Sequence, residues 1–408
     1  MKHDYDILII GGGASGLFAA VTAAKQAPHR RILLIEREQR MGKKLLTTGN
    51  GRCNLSNASG LNDRYFGDVT FAQTAFAQFG VEQTRLAMAD LGIPTVELEE
   101  GKLYPCSLQA GSVVDMLRFA AADAGVAFLT ETTVQSIKAG DPFLVQTNGP
   151  AFTAKKVLIA TGGKSCVGKY EGPTGYDLLT ALGHKLTKLT PAIVQVTTEK
   201  EPIKPLTGIK VDGVITARCG DEIRTEAGEI LFAEYGISGP PVLQISGMIA
   251  RHGGGQLSLD LLPDWSAKAV NNEIATRCRR FAHRTCEDLL TGLMNKRLGQ
   301  TVLKRAGVEK LSRSCGDLTQ KDVDRIAQMI KTFPLTANGT KGWNSAQVTC
   351  GGVVTKDFDP KTMESKRHKG LFAAGEVLNV TGDCGGFNLQ WAWTSAYLAG
   401  IAMGEDDR

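Results

Sequence analysis

The sequence predicts an α/β fold. A parallel-sheet domain opens the chain, a β-sheet or barrel region and a helical region follow, and a further strand and helix close it. Three observations predict this. The N-terminus holds a strand, a glycine turn, a helix and a second strand: Asp6-Ile7-Leu8-Ile9-Ile10 runs into Gly11-Gly12-Gly13-Ala14-Ser15-Gly16, and Arg31-Ile32-Leu33-Leu34-Ile35 follows. A short apolar strand ending in Gly375-Glu376 stands near the C-terminus. Between them, Ile193 to Leu261 reads as short alternating strands, and Ser266 to Thr332 as amphipathic helices.

The N-terminal unit has the order that a dinucleotide site requires. Gly11 allows the tight turn, Gly13 lets backbone approach a pyrophosphate, and Gly16 lets the helix pack close to the strand. Ala14 and Ser15 open the helix, whose unpaired N–H groups suit phosphate. The second strand ends at Glu36-Arg37. Glu36 can accept from a ribose hydroxyl, and Arg37 joins the candidate set.

At 408 residues, two or three domains are expected. The composition, 42% apolar and 22% charged, is that of a globular protein in water. Three glycines interrupt the first apolar run, so neither a signal peptide nor a membrane span is expected. The nine cysteines include no Cys-x-x-Cys pair, which argues against a metal site and for a reducing cytoplasm. The net charge is +5, yet Ser266–Thr332 alone holds 14 Lys+Arg against 7 Asp+Glu. That excess reads first as a solvated helical surface and second as a basic lid for an anionic substrate or a reduced nucleotide.

After Glu36, the stretch Met41 to Asn57 fits neither strand nor amphipathic helix. It is dense in Gly, Asn and Thr, which marks a loop of defined backbone. Lys43, Thr48, Gly49, Asn50, Gly51, Arg52, Cys53 and Asn54 are its candidates for the polar edge of a flavin ring. Cys53 has no partner cysteine nearby, so packing is preferred to a redox role. Residues 69–92 suit one helix, with Phe76, Phe79 and Leu86 on its apolar face. Val96 to Tyr104 suits a hairpin turning at Gly101. Lys156 to Gly163 is a buried strand ending in Ala160-Thr161-Gly162-Gly163, where glycines let backbone cross near a cofactor. Ser238 is read as the N-cap of a helix that carries Pro240 and Pro241 in its first turn. Near the C-terminus, Gly385-Gly386-Phe387-Asn388-Leu389 opens a helix running to Met403. Its N-terminus would favour a negative charge placed before it. Trp391 and Trp393 on that helix are read as core. His283 is read as a packing or surface residue.

The glycine fingerprint, Gly42-Lys43-Lys44 and Thr48-Gly49-Asn50-Gly51-Arg52-Cys53-Asn54 resemble a family of bacterial FAD flavoproteins. Its members are described as aminoacetone oxidase-like and 3-dehydro-bile acid Δ4,6-reductase-like, and it is related to the two-dinucleotide-binding-fold flavoproteins. The resemblance spans nearly the whole chain. It implies a Rossmann-like, discontinuous FAD-binding domain at 1–190 and 356–408. The insert would hold a β subdomain at 191–265, a basic helical subdomain at 266–335 and a return to β at 336–355. It implies FAD held by the residues above, with Thr161, Gly162, Gly163, Gly375 and Glu376 at the crossings and Val134 meeting adenine through its backbone. This sequence departs from the family pattern at Ser165–Tyr176, has Ala233-Glu234 where a Thr-His pair is usual, and has Asn379-Val380-Thr381 in place of Asp-Val-Asp.

No second Gly-x-Gly-x-x-Gly follows a strand, so NADH or NADPH, if it is the donor, visits the flavin transiently. No Ser/His/Asp set, metal cluster or carboxylate dyad competes with flavin chemistry, and no catalytic acid or base is assigned. The leading expectation is an FAD-dependent oxidoreductase that reduces an activated C=C bond of a small molecule by hydride transfer through flavin N5. An amine or aminoketone oxidase using oxygen is the alternative. A flavin-binding protein associated with nucleic acid is the reading from another class. Phe281 is the only aromatic residue in the basic segment, which counts against that last reading.

Overall fold

In the computed structural model, which describes residues 4–61, 63–165 and 172–406, the first apolar run forms strand β1 (Tyr5–Ile10). Ile7 to Ile10 are buried without alternation, as an interior parallel strand requires. Helix α1 (Ala14–Gln26) returns the chain, and strand β2 (Ile32–Ile35) lies parallel to β1 with Ile7 opposite Ile32. Ala127–Leu129 continues the sheet beyond β2, and Phe152–Ile159 flanks β1 on the other side. Leu371–Ala373 pairs in parallel with the end of Phe152–Ile159, so the C-terminal segment completes the same sheet. The antiparallel strands Val134–Lys138 and Phe143–Thr147 join at the start of Phe152–Ile159 and bring the sheet to seven strands.

The chain divides into two compact units, Met1–Thr190 with Val348–Arg408, and Pro191–Gln347. In the first, small residues let two helices approach closely. Ala19, Ala20 and Ala23 of α1 are fully buried, and a Cβ at Gly400 of the Phe387–Gly404 helix would come within 2.7 Å of Thr22. Trp391 and Trp393 are core residues of that helix, and their indole N–H groups donate to the Gly375 and Leu55 carbonyls. The expected hairpin is present as Thr95–Glu97 paired with Lys102–Pro105.

The second unit is built on a closed antiparallel barrel of six strands. Around it run Val196–Thr198, Gly236–Ser238, Glu222–Ala233, Lys210–Cys219, Gly255–Asp260 and Phe333–Thr340, which closes on the first. Helices Ala267–Arg280, Lys296–Arg305 and Gln320–Lys331 turn Ile274, Val302 and Ile326 into the same buried cluster as Ile215 and Leu335 of the barrel. The basic helices and the barrel therefore share one core.

Two local expectations are corrected. The stretch 69–92 forms two helices, Val69–Phe76 and Val81–Asp90, separated at Gly80. The break resets the helical phase, so Thr84 and Met88 face inward and Leu86 is 66% exposed, whereas Phe79 stays buried. Ser238 is not a helix cap: Gly236–Ser238 is a strand, and Gly239, with φ 107, caps a helix that begins at Pro240. That backbone angle favours glycine, and a Cβ there would overlap the Glu229 carbonyl oxygen. Within the departing segment Ser165–Tyr176, residues 166–171 lie outside the described residues. Its end forms helix Gly175–Ala181, capped by Thr174.

Replacing Phe79 with Ala should lower unfolding stability in urea by about 3–5 kcal/mol. Leu86→Ala, made at a position the sequence pattern placed in the core, should stay within about 0.5 kcal/mol of the parent.

Candidate functional site

The site grows from the turn between β1 and α1. Gly11 has φ +107, and a Cβ there would lie 2.5 Å from the Ala160 carbonyl oxygen. A Cβ at Gly16 would overlap the carbonyl oxygen of Gly11. These two glycines are required by the protein's own packing. Gly13 differs: a Cβ there would meet no protein atom within 4 Å. Helix α1 starts after Gly13 with no side-chain cap and no acid in its first turn. Its first N–H groups, with Ala14 and Ser15 at the helix start, thus suit an anion.

Glu36 is fastened to the same turn. Its carboxylate accepts from the Gly12 N–H at 2.7 Å and from the Glu38 N–H at 2.9 Å. Gly12 was not singled out in the sequence, because its role is to hold the acid. Each carboxylate oxygen retains acceptor capacity for a hydroxyl. Arg37 is 3.9 Å from the Glu38 carboxylate. The Thr132 N–H donates to the Glu36 carbonyl, so the chain entering Val134 passes the end of β2.

The Met41–Asn57 stretch holds an irregular 3-10 turn, Leu45–Gly51, and, against expectation, ends in a short strand, Ser56–Asn57, that pairs with Lys102 and Leu103. Gly49, Asn50, Gly51 and Cys53 all have positive φ, which explains the density of Gly and Asn. The Thr48 hydroxyl donates to the Leu45 carbonyl, and the Cys53 N–H donates to the Thr48 carbonyl. Cys53 is fully buried, and burial pushes its thiol up to about 12, so it stays protonated. Arg52 lies over the Tyr104 ring, 4.9 Å from its centroid. Lys43 is exposed and paired with Glu38, whereas its neighbour Lys44 reaches Glu376.

Glu376 is the meeting point of four segments. Lys44 Nζ is 2.6 Å from Oε2, which also accepts from the Gly163 N–H. Oε1 accepts from the Thr349 N–H at 2.8 Å and from the Ser165 hydroxyl at 3.3 Å. Tyr176 lies against this centre, and burial, with the nearby Glu376 charge, keeps its phenol far above the usual range. Gly375 packs on Ser15, where a Cβ would strike the serine side chain. Lys44 stands in the Gly42-Lys43-Lys44 motif with no role assigned to it, and Thr349 escaped the sequence reading.

The last element is the Phe387–Gly404 helix, which starts at Gly386 with no side-chain cap and no acid in its first turn. A Cβ at Gly386 would overlap the Ser56 carbonyl oxygen, and Asn57 donates to the Gly385 carbonyl at 2.9 Å. Asn388 holds the preceding turn by donating to the Gly382 carbonyl and accepting the Gly382 N–H. The Phe387 carbonyl accepts from the Tyr65 hydroxyl, and Leu389 is partly buried. The Asn379 amide donates to Asp68 at 3.0 Å, which an ionised aspartate could not do.

Two of the sequence-predicted residues carry buried oxygens with no hydrogen-bond partner among the described residues, Asn54 Oδ1 and Thr161 Oγ1. Such atoms are costly unless something else satisfies them. Together with open Gly13, the two uncapped helix starts and Glu36, they fit a dinucleotide whose far end carries a polar ring. Gly162 and Gly163 leave the strand beside Thr161, with Gly162 at φ 72. Among the described residues no cluster of His, Cys, Asp and Glu could hold a metal ion, and no helix is long and apolar enough to cross a membrane.

This fold and site define a flavoprotein oxidoreductase that uses FAD on a Rossmann-type domain. The chain belongs to the family described as HI0933-like protein Rossmann domain, whose model matches residues 5–402. It is 36% identical to a 3-dehydro-bile acid delta(4,6)-reductase of Clostridium scindens, over 97% of this chain and 98% of that protein. It is 33% identical to a ribosomal RNA dihydrouridine synthase of Escherichia coli, over 96% of each chain. A protein of the same name from Haemophilus influenzae is 31% identical over 99% of each.

Gly13→Ala should leave the thermal stability of the apoprotein unchanged while weakening FAD binding at least about tenfold in fluorescence titration, because the added methyl meets only ligand. Gly11→Ala should lower apoprotein stability itself, by about 1–3 kcal/mol. In a double-mutant cycle, Lys44→Met and Glu376→Gln should show a coupling of about 1–2 kcal/mol in urea unfolding, above the median for exposed pairs.

Proposed function

We propose that this protein reduces a carbon–carbon double bond conjugated to a carbonyl, with NADH or NADPH as the electron donor. The observation that carries the reading is the similarity to two reductive proteins of different substrate, each spanning almost the whole chain. A 3-dehydro-bile acid with delta(4,6) unsaturation contains such a bond. So does the uracil ring that becomes dihydrouridine. The bond, and not the molecule around it, is what these substrates have in common. Neither relative is named an oxidase, so amine oxidation is the weaker reading.

When bound, FAD would supply hydride transfer at its N5. The chain's own residues do the holding. Gly13 and the start of α1 would meet the pyrophosphate, and Glu36 a ribose hydroxyl. Val134 would approach the adenine. Asn54, Thr161 and the start of the Phe387–Gly404 helix would face the polar side of the ring. The Lys44–Glu376 pair keeps the loops around that end in place. A small carbonyl compound is the first acceptor class. A uracil base within RNA is the second, favoured by the two dihydrouridine synthases and by the basic segment of the second unit.

Anaerobic mixing with NADH or NADPH should bleach the flavin absorbance, and a 3-oxo-4-ene steroid or a uridine-containing RNA should restore it without oxygen. If neither nicotinamide bleaches the flavin, or if no conjugated double bond restores the colour, the reading is wrong.

A further inference from the structure

The helical part of the second unit concentrates positive charge that the proposed chemistry does not use. Residues 277–286 and 310–316 together hold six Lys/Arg and no Asp or Glu. The fold sets these two stretches side by side. Thr285 bridges Ser314 in antiparallel register, the Arg284 carbonyl accepts from the Cys315 N–H, and the Arg313 carbonyl accepts from the Cys286 N–H, both at 2.8 Å. Crossed thiol contacts tie the pair from below: Cys286 Sγ donates to the Ser314 carbonyl and Cys315 Sγ to the Thr285 carbonyl. Both thiols are fully buried, and desolvation holds them protonated, so the floor under the charges is neutral.

Arg279, Arg280, Arg284, Lys310 and Arg313 are all exposed. Arg277 is not available in the same way, since it binds Glu273 and the Leu289 and Thr291 carbonyls. Arg284 rests on the Phe281 ring, 4.9 Å from its centroid, which fixes the plane of its guanidinium. Arg313 is 3.8 Å from Asp322, but that carboxylate already serves Arg325 and the Thr319 cap. His283 lies exposed among these residues. Glu287, Glu309 and Asp317 border the two stretches, and the five exposed cations outnumber them, which leaves the patch net positive.

The chemistry of the patch selects its partner. Four of its five permanent charges are arginines, whose planar fork matches phosphate in bidentate fashion. Neither stretch exposes a large apolar side chain that could enter a lipid interface. We infer that the surface formed by Arg279, Arg280, Arg284, Lys310 and Arg313 docks the phosphate backbone of RNA. The inference rests on the second acceptor reading, a uracil base in RNA. Contacts to phosphate position a nucleic acid without reading its sequence, so the patch would orient RNA and leave base choice to other residues.

The test is binding of a short uridine-containing single-stranded RNA to the FAD-loaded protein, followed by fluorescence anisotropy across a salt series. Five phosphate contacts should make affinity fall about a hundredfold between roughly 50 and 200 mM salt. The variant Arg279→Gln/Arg280→Gln/Arg284→Gln should bind at least about tenfold more weakly at low salt, with a salt slope smaller by about two. The variant Lys268→Gln/Lys304→Gln/Lys321→Gln removes the same charge from exposed positions outside the patch and should bind as the parent does. No RNA binding by the parent, or equal losses in the two triple variants, would overturn the inference. So would loss of binding to phosphatidylserine vesicles in the arginine variant while RNA binding stays intact. Reduction of a small enone, measured in the same preparations, should be unaffected by either variant. If the parent fails to reduce any enone but binds RNA through the patch, the reaction reading falls and the docking surface stands.

Discussion

One carboxylate closes a domain whose halves lie at opposite ends of the chain. Glu376 binds Lys44 across 332 residues of sequence, and the Gly163 N–H, the Ser165 hydroxyl and the Thr349 N–H complete its shell. The cost of joining distant segments grows only slowly with the length of the loop between them. A part-buried carboxylate without these donors would be expensive, and the donors without it would be nearly as poorly placed. The four segments therefore settle together. The Tyr5–Ile10, Phe152–Ile159 and Leu371–Ala373 strands bring them within reach, because they are neighbours in one sheet.

A second carboxylate does similar work at the other end of the turn. Glu36 grips Gly12 and Glu38, so the acid that would meet a ribose also braces the loop that would meet a pyrophosphate. Glu376 spends its hydrogen-bonding capacity on the protein, and Glu36 spends half of its own there. Asn54 Oδ1 and Thr161 Oγ1 do not. A protein usually satisfies its buried polar atoms, so these two oxygens stand apart from the carboxylates that hold the frame.

The sequence was most legible where cause and effect are close together along the chain. Strand β1, the glycine turn, α1, β2 and Glu36 follow within about 30 residues, and each is dictated by local periodicity or backbone sterics. The positive φ values of Gly49, Asn50 and Gly51 were likewise visible as composition. The roles of Lys44 and Thr349 were not, because their meaning lies in a contact made far away. Leu86 misled because a helical period was carried through Gly80, where the chain breaks phase. Ser238 misled because a capping residue was preferred on propensity, while the backbone needed φ 107 one residue later, which favours glycine. The shared core of barrel and helices was hidden for a third reason: amphipathic helices announce that they bury a face, but not what they bury it against.

The glycines make the general point most sharply. Gly11, Gly16, Gly375 and Gly386 each sit where a Cβ would collide with this chain's own atoms. A structure without ligand is enough to explain them. Gly13 has no such reason: a side chain would fit, and it would extend into space that no protein atom takes. Its φ is not one that demands glycine either, since the residue caps α1 from the extended region at φ −82. A glycine is conformationally costly to order, and here its bare backbone leaves the first N–H groups of α1 open to approach. The same motif thus contains two kinds of glycine. One kind builds the turn, and the other leaves it open.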